Sequence, residues 1–449
     1  MGLYEAVRAG DAERVRELLE AGADPDTAGE DGLPVLCAAV AAFAHGIAED
    51  LVEAGADPDR VLPDGTTPLL RAVEGGSDST VGALLWSRDL QDPGLRLPEA
   101  ERERLLAAAR HWYGTGPETE LRRRTGATGP AHTSEVDENW CRVGQIALGG
   151  LTVRAGHGAV LTTLESAFGV PAPLEELVAR AVRHPDPGHV DWAGSRYALG
   201  ERLGEGAWET VTALRHHPSP DHRRFAADWL QTQQFFPGHD VYPHHEEDRE
   251  LLAAWADAEP DAVVLAEVLS ALTEHEVEHP RLEAIGLRYA GHPDPRVRRE
   301  VPDCLSWSGR PLTPGGGAAL RALTRDPDDQ VRFTAALTLL AEEHEDPERP
   351  RAVVRDLVRD PHSPVHGGAA DYLAASDDRT ADATALLLGL LDTDDRVLRL
   401  IGAYGLALRN DPRTPEAYAR VLELGPIYQP DHRRNALVDW CRRNDPSAG

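Results

Sequence analysis

The phrase EAGADPD stands at residues 20–26 and again at 53–59, an offset of 33 residues. This spacing constrains the fold more than any other feature. A chain that repeats at such a period repeats one supersecondary unit, and that unit buries its apolar face only by stacking on its neighbours. In register, the copies are LYEAVRAGDAERVRELLEAGADPD (3–26), DGLPVLCAAVAAFAHGIAEDLVEAGADPD (31–59) and DGTTPLLRAVEGGSDSTVGALL (64–85). Each reads as an Asp-Gly turn, a short helix, a Gly-rich break, an amphipathic helix and a Gly-Ala-Asp finish. Gly22 and Gly55 stand just past the second helix, where a left-handed residue ends it at little cost. Asp24 and Asp57 are placed to accept turn N–H groups, and Pro25 and Pro58 stiffen the exit. Leu18, Leu19, Leu51 and Val52 are expected to face the stack. PEAERERLLAAARHW (98–112) fits a fourth, degenerate copy that caps the array.

The Thr-Pro-Leu helix start after Asp-Gly in DGTTPLL (64–70), its looser counterpart DGLPVLC (31–37) and the Gly-Ala-Asp finish resemble the ankyrin repeat. The resemblance implies a stack of helix pairs over residues 1–110.

A different phrase recurs from residue 184: HPDPGHVDWAGSRYAL (184–199), HPSPDHRRFAADWL (217–230), HPDPRVRREVPDCL (292–305), DPDDQVRFTAALTLL (326–340), DPHSPVHGGAADYL (360–373), DTDDRVLRLIGAYGL (392–406) and QPDHRRNALVDWC (429–441), with a poorer copy at 259–269. Each phrase is preceded by one short helical pattern and runs into a second. Asp294, Asp328 and Asp394 are placed to cap that second helix, Pro295 suits its first position, and Val297, Val331 and Val397 then enter the core. Arg298 and Arg332 are expected to ladder to acids of neighbouring repeats. Period and phrase resemble HEAT repeats, in the short variety also found in phycobilin lyases, over roughly residues 172–443. HEAT arrays host many functions, so the likeness carries no activity.

Composition narrows the chemistry. All 46 basic residues are arginine, which excludes a lysine Schiff base and a P-loop lysine. The net charge of −30 makes nucleic acid and anionic membrane poor partners. Cys37, Cys141, Cys304 and Cys441 are scattered without a C-x-x-C pair, which suits a reducing compartment. The start MGLYEAVRAGD lacks a secretory pattern, and PVLCAAVAAFAHGIA (34–48) is too short to span a bilayer. A cytoplasmic protein is expected.

Residues 111–171 follow neither period. Alternation on either side of Gly149–Gly150 suggests a β-hairpin, and GAVLTTLESAFG a helix. The segment reads as a structured linker or as a pocket using Trp112, Tyr113, Trp140 and His157.

HEVEH (275–279) matches the zinc-protease pattern, but Pro280 breaks the helix that mechanism needs. It reads instead as a turn with His279 as helix cap, like the His-Pro turns at His184, His217 and His292. The cluster His239, Asp240, His244, His245, Glu246, Glu247 and Asp248 has metal-ligand types without diagnostic spacing, and reads as an insertion loop.

The expected fold is mainly α. It is a double α-solenoid, with ankyrin repeats (1–110) and about eight HEAT-like repeats (172–449) joined by a small irregular α/β connector (111–171). The expected function is a non-enzymatic scaffold or adaptor with a protein partner, no cofactor and no metal. Its candidate contact residues on the HEAT-like helices are Trp192, Arg196, Arg223, Trp229, Trp307 and Trp440. The alternative is an enzyme or small-ligand or metal binder using the connector or the His-rich insertion.

Overall fold

The computed structural model of the 449-residue chain describes residues 2–29, 32–86, 96–233, 242–274, 279–306, 311–342, 346–422 and 431–444. It forms two compact units, Met1–Asp240 and Val241–Gly449. Both are mainly α, with one three-stranded sheet in the first.

The first unit opens with helix pairs α1 (Leu3–Ala9)/α2 (Ala12–Glu20), α3 (Val35–Ala41)/α4 (His45–Glu53) and α5 (Pro68–Gly75)/α6 (Asp78–Leu85). First helices pack on first helices and second on second, so α1, α3 and α5 form one row and α2, α4 and α6 another. The repeated turn behaves as its chemistry dictates. Gly22 and Gly55 are left-handed (φ 87° and 105°), and Asp24 and Asp57 each accept the N–H two residues on, at 3.0 and 2.9 Å. Thr67 caps α5 by accepting the Leu70 N–H, with Pro68 in the first turn. That is the physical content of the Thr-Pro-Leu start.

The rows do not stop at residue 85. Helix α7 (Glu99–Thr115) packs on α5, α9 (His157–Ala167) packs on α6, and α7 and α9 pack on each other. They are a fourth helix pair. Into its connection are inserted helix α8 (Pro117–Thr125) and strands β1 (His132–Glu138), β2 (Cys141–Leu148) and β3 (Leu151–Arg154). The segment that escapes the repeat is thus an insertion within a repeat. Helix α9 then packs on α11, so the same helix continues into the following pairs: α10 (Leu174–Arg183)/α11 (Val190–Gly200) and α12 (Ala207–Ala213)/α13 (Pro220–Gln233).

The second unit consists of the pairs α14 (His245–Ala256)/α15 (Ala262–Thr273), α16 (Leu282–Tyr289)/α17 (Pro295–Leu305), α18 (Pro314–Leu323)/α19 (Asp329–Ala341), α20 (Glu348–Arg359)/α21 (His366–Ala375), α22 (Ala381–Leu390)/α23 (Arg396–Leu408) and α24 (Thr414–Leu422)/α25 (His432–Arg443). Second helices stack on one another, α15 on α17, α17 on α19, α21 on α23 and α23 on α25. Asp294 accepts the Arg296 N–H (2.9 Å) and Asp328 the Val331 N–H (3.0 Å), and Val297 and Val331 are fully buried.

Three expectations about this turn are corrected. The cap of α23 is Asp395, which accepts the Val397 and Leu398 N–H groups, and not Asp394. The frame therefore moves by one residue. Val397 stays 55% exposed, and Leu400 and Ile401 fill the core instead. Arg298 does ladder onward, with two bonds of 2.7 Å to Asp326 of the next repeat. Arg332 instead closes its own turn, donating to the Asp326 and Pro327 carbonyls and pairing with Asp329. The His-Pro turns have a local logic. His217, His279 and His292 each accept at Nδ1 the N–H two residues on, at 3.1–3.2 Å. Helix α16 starts at Leu282, two residues later than a His279 cap would place it.

Candidate partner-binding site

The inserted sheet is antiparallel in order β1-β2-β3. Its two turns have two residues each. Gly149–Gly150 (φ 61° and 85°) joins β2 to β3, as the glycine pair foretells. Asn139–Trp140 joins β1 to β2 with φ of 46° and 69°. A hairpin turn of this hand needs positive φ at both positions. Asn tolerates it, but a tryptophan there carries strain. That strained Trp140 is 99% exposed.

The sheet is wedged on both faces. Val143 packs with Ala159 of α9 and Val190 of α11, and Val136 and Cys141 lie against this cluster. Leu148 and Val153 pack with Leu121 of α8 and Trp112 of α7. Glu138, the residue before the turn, is the anchor. Its carboxylate is buried and accepts from Ser77 Oγ (3.0 Å), Ser79 N and Ser79 Oγ (both 2.9 Å) at the start of α6, and from Arg154 of β3 (2.7 Å). A carboxylate at a helix N-terminus complements its orphan N–H groups. Glu138 thus rivets the base of the hairpin to the third repeat and leaves the tip projecting. Arg142 of β2 adds a pair to Asp186 (2.7 Å), and its N–H donates to the Gly188 carbonyl.

The other connector candidates lie inside. Trp112 and His157 are buried and stacked with ring centroids 4.9 Å apart, and the Arg124 guanidinium lies 4.7 Å from the Trp112 ring centroid. His157 Nε2 bonds the Glu74 carbonyl at 3.1 Å, and burial pushes its imidazole down to about 4. Tyr113 is partly covered by Arg183, 4.5 Å from its ring. The expected pocket of Trp112, Tyr113, Trp140 and His157 is therefore not one place. Three of them pack in or beside the α7/α9 core, and Trp140 stands alone at the tip.

On the HEAT-like helices, Trp192 and Trp229 are fully buried and Trp440 nearly so. Asp228 accepts from Trp192 Nε1 (2.6 Å) and Arg196 (2.9 Å), which ties α11 to α13. Arg223 donates to the His217 and Pro218 carbonyls. Trp440 Nε1 donates to Asn410. Trp192, Arg196 and Trp440 tie neighbouring elements together, Arg223 closes its own turn, and burial withdraws the three tryptophans from any partner. Trp307, His239, Asp240 and residues 275–278 lie outside the described residues. The cluster read as an insertion loop is corrected where it is described, since His245, Glu246, Glu247 and Asp248 form the first turn of α14, and Asp248 is buried and accepts from Tyr242 Oη at 2.7 Å. Among the described residues no three His, Cys, Asp or Glu side chains gather to hold a metal ion, and no helix is long and apolar enough to cross a membrane.

Sequence reasoning missed a group of acids around α9. Asp191 is buried and accepts the Ala159 N–H at 2.7 Å, and burial raises its carboxyl to about 7. Asp78 accepts from Thr163 Oγ1 at 2.7 Å, and burial, reinforced by Glu138, raises it to about 6. Asp78 also lines a cleft of about 660 Å³ with Trp86, Thr163, Tyr197 and Glu201. No motif marks these residues, because α6, α9 and α11 meet only in the folded stack.

The HEAT-repeat family matches residues 249–339 and, overlapping, 317–407. Residues 249–407 are HEAT repeats. The matched stretch, well under half of the chain, contains the Asp-capped turns at Asp294 and Asp328 and the Arg298 ladder. No curated protein matches the chain. A solved structure of YibA from E. coli aligns at 16% identity and a TM-score of 0.43, covering 61% of this chain and 93% of that one. A likeness of that strength adds nothing to the fold derived above.

Proposed function

We propose that this chain is a non-enzymatic adaptor of the cytoplasm that holds a protein partner. Trp140 carries the reading. A fully exposed tryptophan in a left-handed turn costs backbone energy and gains no burial within the chain. Tryptophan is also the residue type most enriched among binding hot spots. The HEAT repeats support it as an extended scaffold, and repeat arrays of this kind present long contact surfaces. We read residues 1–110 as ankyrin repeats on the Thr67–Pro68 helix start, the left-handed glycines and the aspartate turns. In this proposal the partner meets the hairpin tip first, with the half-buried Arg196 and Arg223 of the same unit as further contacts. The test is affinity capture from native lysate with the full chain and with Trp140→Ala. A partner retained equally by both removes the reading.

A second reading has its own observation. The cleft holds a carboxyl, Asp78, raised by burial and by Glu138, beside the exposed aromatic rings of Trp86 and Tyr197. That chemistry suits a small organic cation. A thermal-shift screen with choline and spermidine tests it. A shift abolished by Asp78→Asn supports it, and no shift with either probe dismisses it.

A further inference from the structure

Strand β1 is an edge. It pairs with β2 over His132–Glu138, and among the described residues its backbone makes no hydrogen bond outside that ladder. The two-residue turn closes on the pair Glu138–Cys141, so the even-numbered residues of β1 bond β2. The Ala155 N–H donates to the Gly144 carbonyl at 2.7 Å, which confirms the alternation on β2: even residues serve β3 and odd residues serve β1. Thr133, Glu135 and Asp137 therefore turn their N–H and C=O groups outward, and all three are exposed.

Exposed edges of this length are ordinarily blunted by proline, by a bulge, by an inward charge or by charged side chains. HTSEVDE has no proline, its register with β2 runs without a bulge, and its inward charge, Glu138, is engaged by Ser77, Ser79 and Arg154. Glu135 and Asp137 alone therefore guard the edge, and they repel an acidic strand but not a basic one. At its end stands Trp140, in the strained conformation described above.

Charge selects the occupant. Glu135 and Asp137 are two residues apart on one face of the edge, and among the described residues neither has an ion-pair partner. Arg142, the cross-strand neighbour of Asp137, is engaged by Asp186. A second copy of this chain docking edge to edge would set these acids against their own counterparts on a chain of net charge −30. A cationic strand would find them as its cross-strand pairs.

We infer that β1 is a docking edge for an extended, basic segment of another protein. The segment adds as a fourth strand, places basic side chains two residues apart against Glu135 and Asp137, and covers Trp140 with an apolar residue. This is strand addition, in which main-chain hydrogen bonds supply affinity and alternate side chains supply specificity. The inference rests on the adaptor reading and names the chemistry of its partner.

The test uses the full chain and a fluorescein-labelled heptapeptide of alternating valine and arginine, followed by anisotropy at 150 mM salt. Two control peptides carry N-methyl groups on alternate amides or glutamate in place of arginine. Saturable binding of the arginine peptide alone is expected, with hydrogen-exchange protection gained over 132–138. Glu135→Pro removes an outward N–H that the hairpin does not use, so the circular dichroism and melting of the chain should persist while binding is lost. The double change Glu135→Lys with Asp137→Lys, which leaves the backbone untouched, should weaken binding by about tenfold or more, from two pairs lost and reversed. Absence of saturable binding by the wild-type chain overturns the inference. So does equal binding of the N-methylated peptide, or undiminished binding to a folded Glu135→Pro chain, because either result reduces the contact to diffuse charge attraction. A lysate partner lost with Trp140→Ala but kept by Glu135→Pro overturns strand addition alone and leaves the adaptor reading standing.

Discussion

Replacing Trp140 with glycine should make the first unit more stable, although it deletes the largest side chain of the hairpin. Trp140 is 99% exposed, so its removal forfeits almost no burial. Its φ of 69° is the second positive value in the turn, after 46° at Asn139. Relief of a non-glycine residue from the left-handed region is worth about 1–2 kcal/mol, and the extra unfolded-state freedom of glycine takes back about 0.5–1 kcal/mol. The net gain is about 0–1.5 kcal/mol, centred near about 0.75 kcal/mol, which is a melting shift of about 1.5–3 °C at the centre for a unit of this size. Trp140→Ala is the control, because alanine loses the ring but keeps the strain, so glycine should exceed alanine by about that net amount. Native-state hydrogen exchange at the Val136 and Val143 amides reads the hairpin directly, and urea unfolding reads the unit. If glycine is no more stable than alanine, the turn is unstrained. If both variants lose about 1 kcal/mol or more, the ring is packed and the binding argument fails with it.

The remaining predictions concern what the tip is mounted on and how the arrays hold together. Glu138→Ala leaves Arg154 buried without its carboxylate and the Ser79 N–H at the α6 start without its acceptor, so it should cost about 3–5 kcal/mol by urea unfolding. A cost below 1 kcal/mol would show that the rivet is not formed. Asp191 has a carboxyl raised from 3.8 to about 7, so the folded chain holds that proton more tightly than the unfolded chain. The stability of wild type relative to Asp191→Asn should therefore be greatest below about pH 4, fall as pH rises, and level off above about pH 7. His157 and His189, both lowered to about 4, act oppositely as pH falls from 6.5, but they are common to the two proteins and cancel in the difference. A flat difference between pH 4 and 8 would refute the burial of Asp191. In the second unit, Arg298→Ala takes its charged partner from the nearly buried Asp326 carboxylate, which keeps the Asp328 N–H, and should cost about 2–3 kcal/mol, whereas an ordinary surface pair would cost under about 1 kcal/mol.

What could be read from the sequence was what local chemistry writes into it. The glycine stops, the aspartate turns and the Thr67–Pro68 helix start each act within a few residues, the 33-residue period brings such signals back at fixed spacing, and each is present as expected. Gly149–Gly150 announced its hairpin for the same reason. Asn139–Trp140 did not, because tryptophan is the wrong residue for such a turn. The most informative turn in the molecule was illegible for the very reason that makes it informative. The cap of α23 was misplaced by one residue because Asp394 and Asp395 are adjacent, and only the helix frame decides between them. The buried stack of Trp112 on His157 and the acids Asp78 and Asp191 depend on α6, α7, α9 and α11 meeting across a long insertion, which no local pattern encodes. Residues 98–112 read as a terminal cap, since the partner helix α9 begins only after the inserted sheet, at His157.

The central claim is that the exposed, strained hairpin tip exists to hold a partner. Its most direct measurement is quantitative capture from native lysate by three full-length chains: wild type, Trp140→Ala and Trp140→Gly. Each is first shown to be folded by circular dichroism. The account predicts one protein partner recovered in near-stoichiometric amount by wild type and depleted at least about tenfold by both variants, as for a hot-spot tryptophan. Equal recovery by all three chains would contradict it.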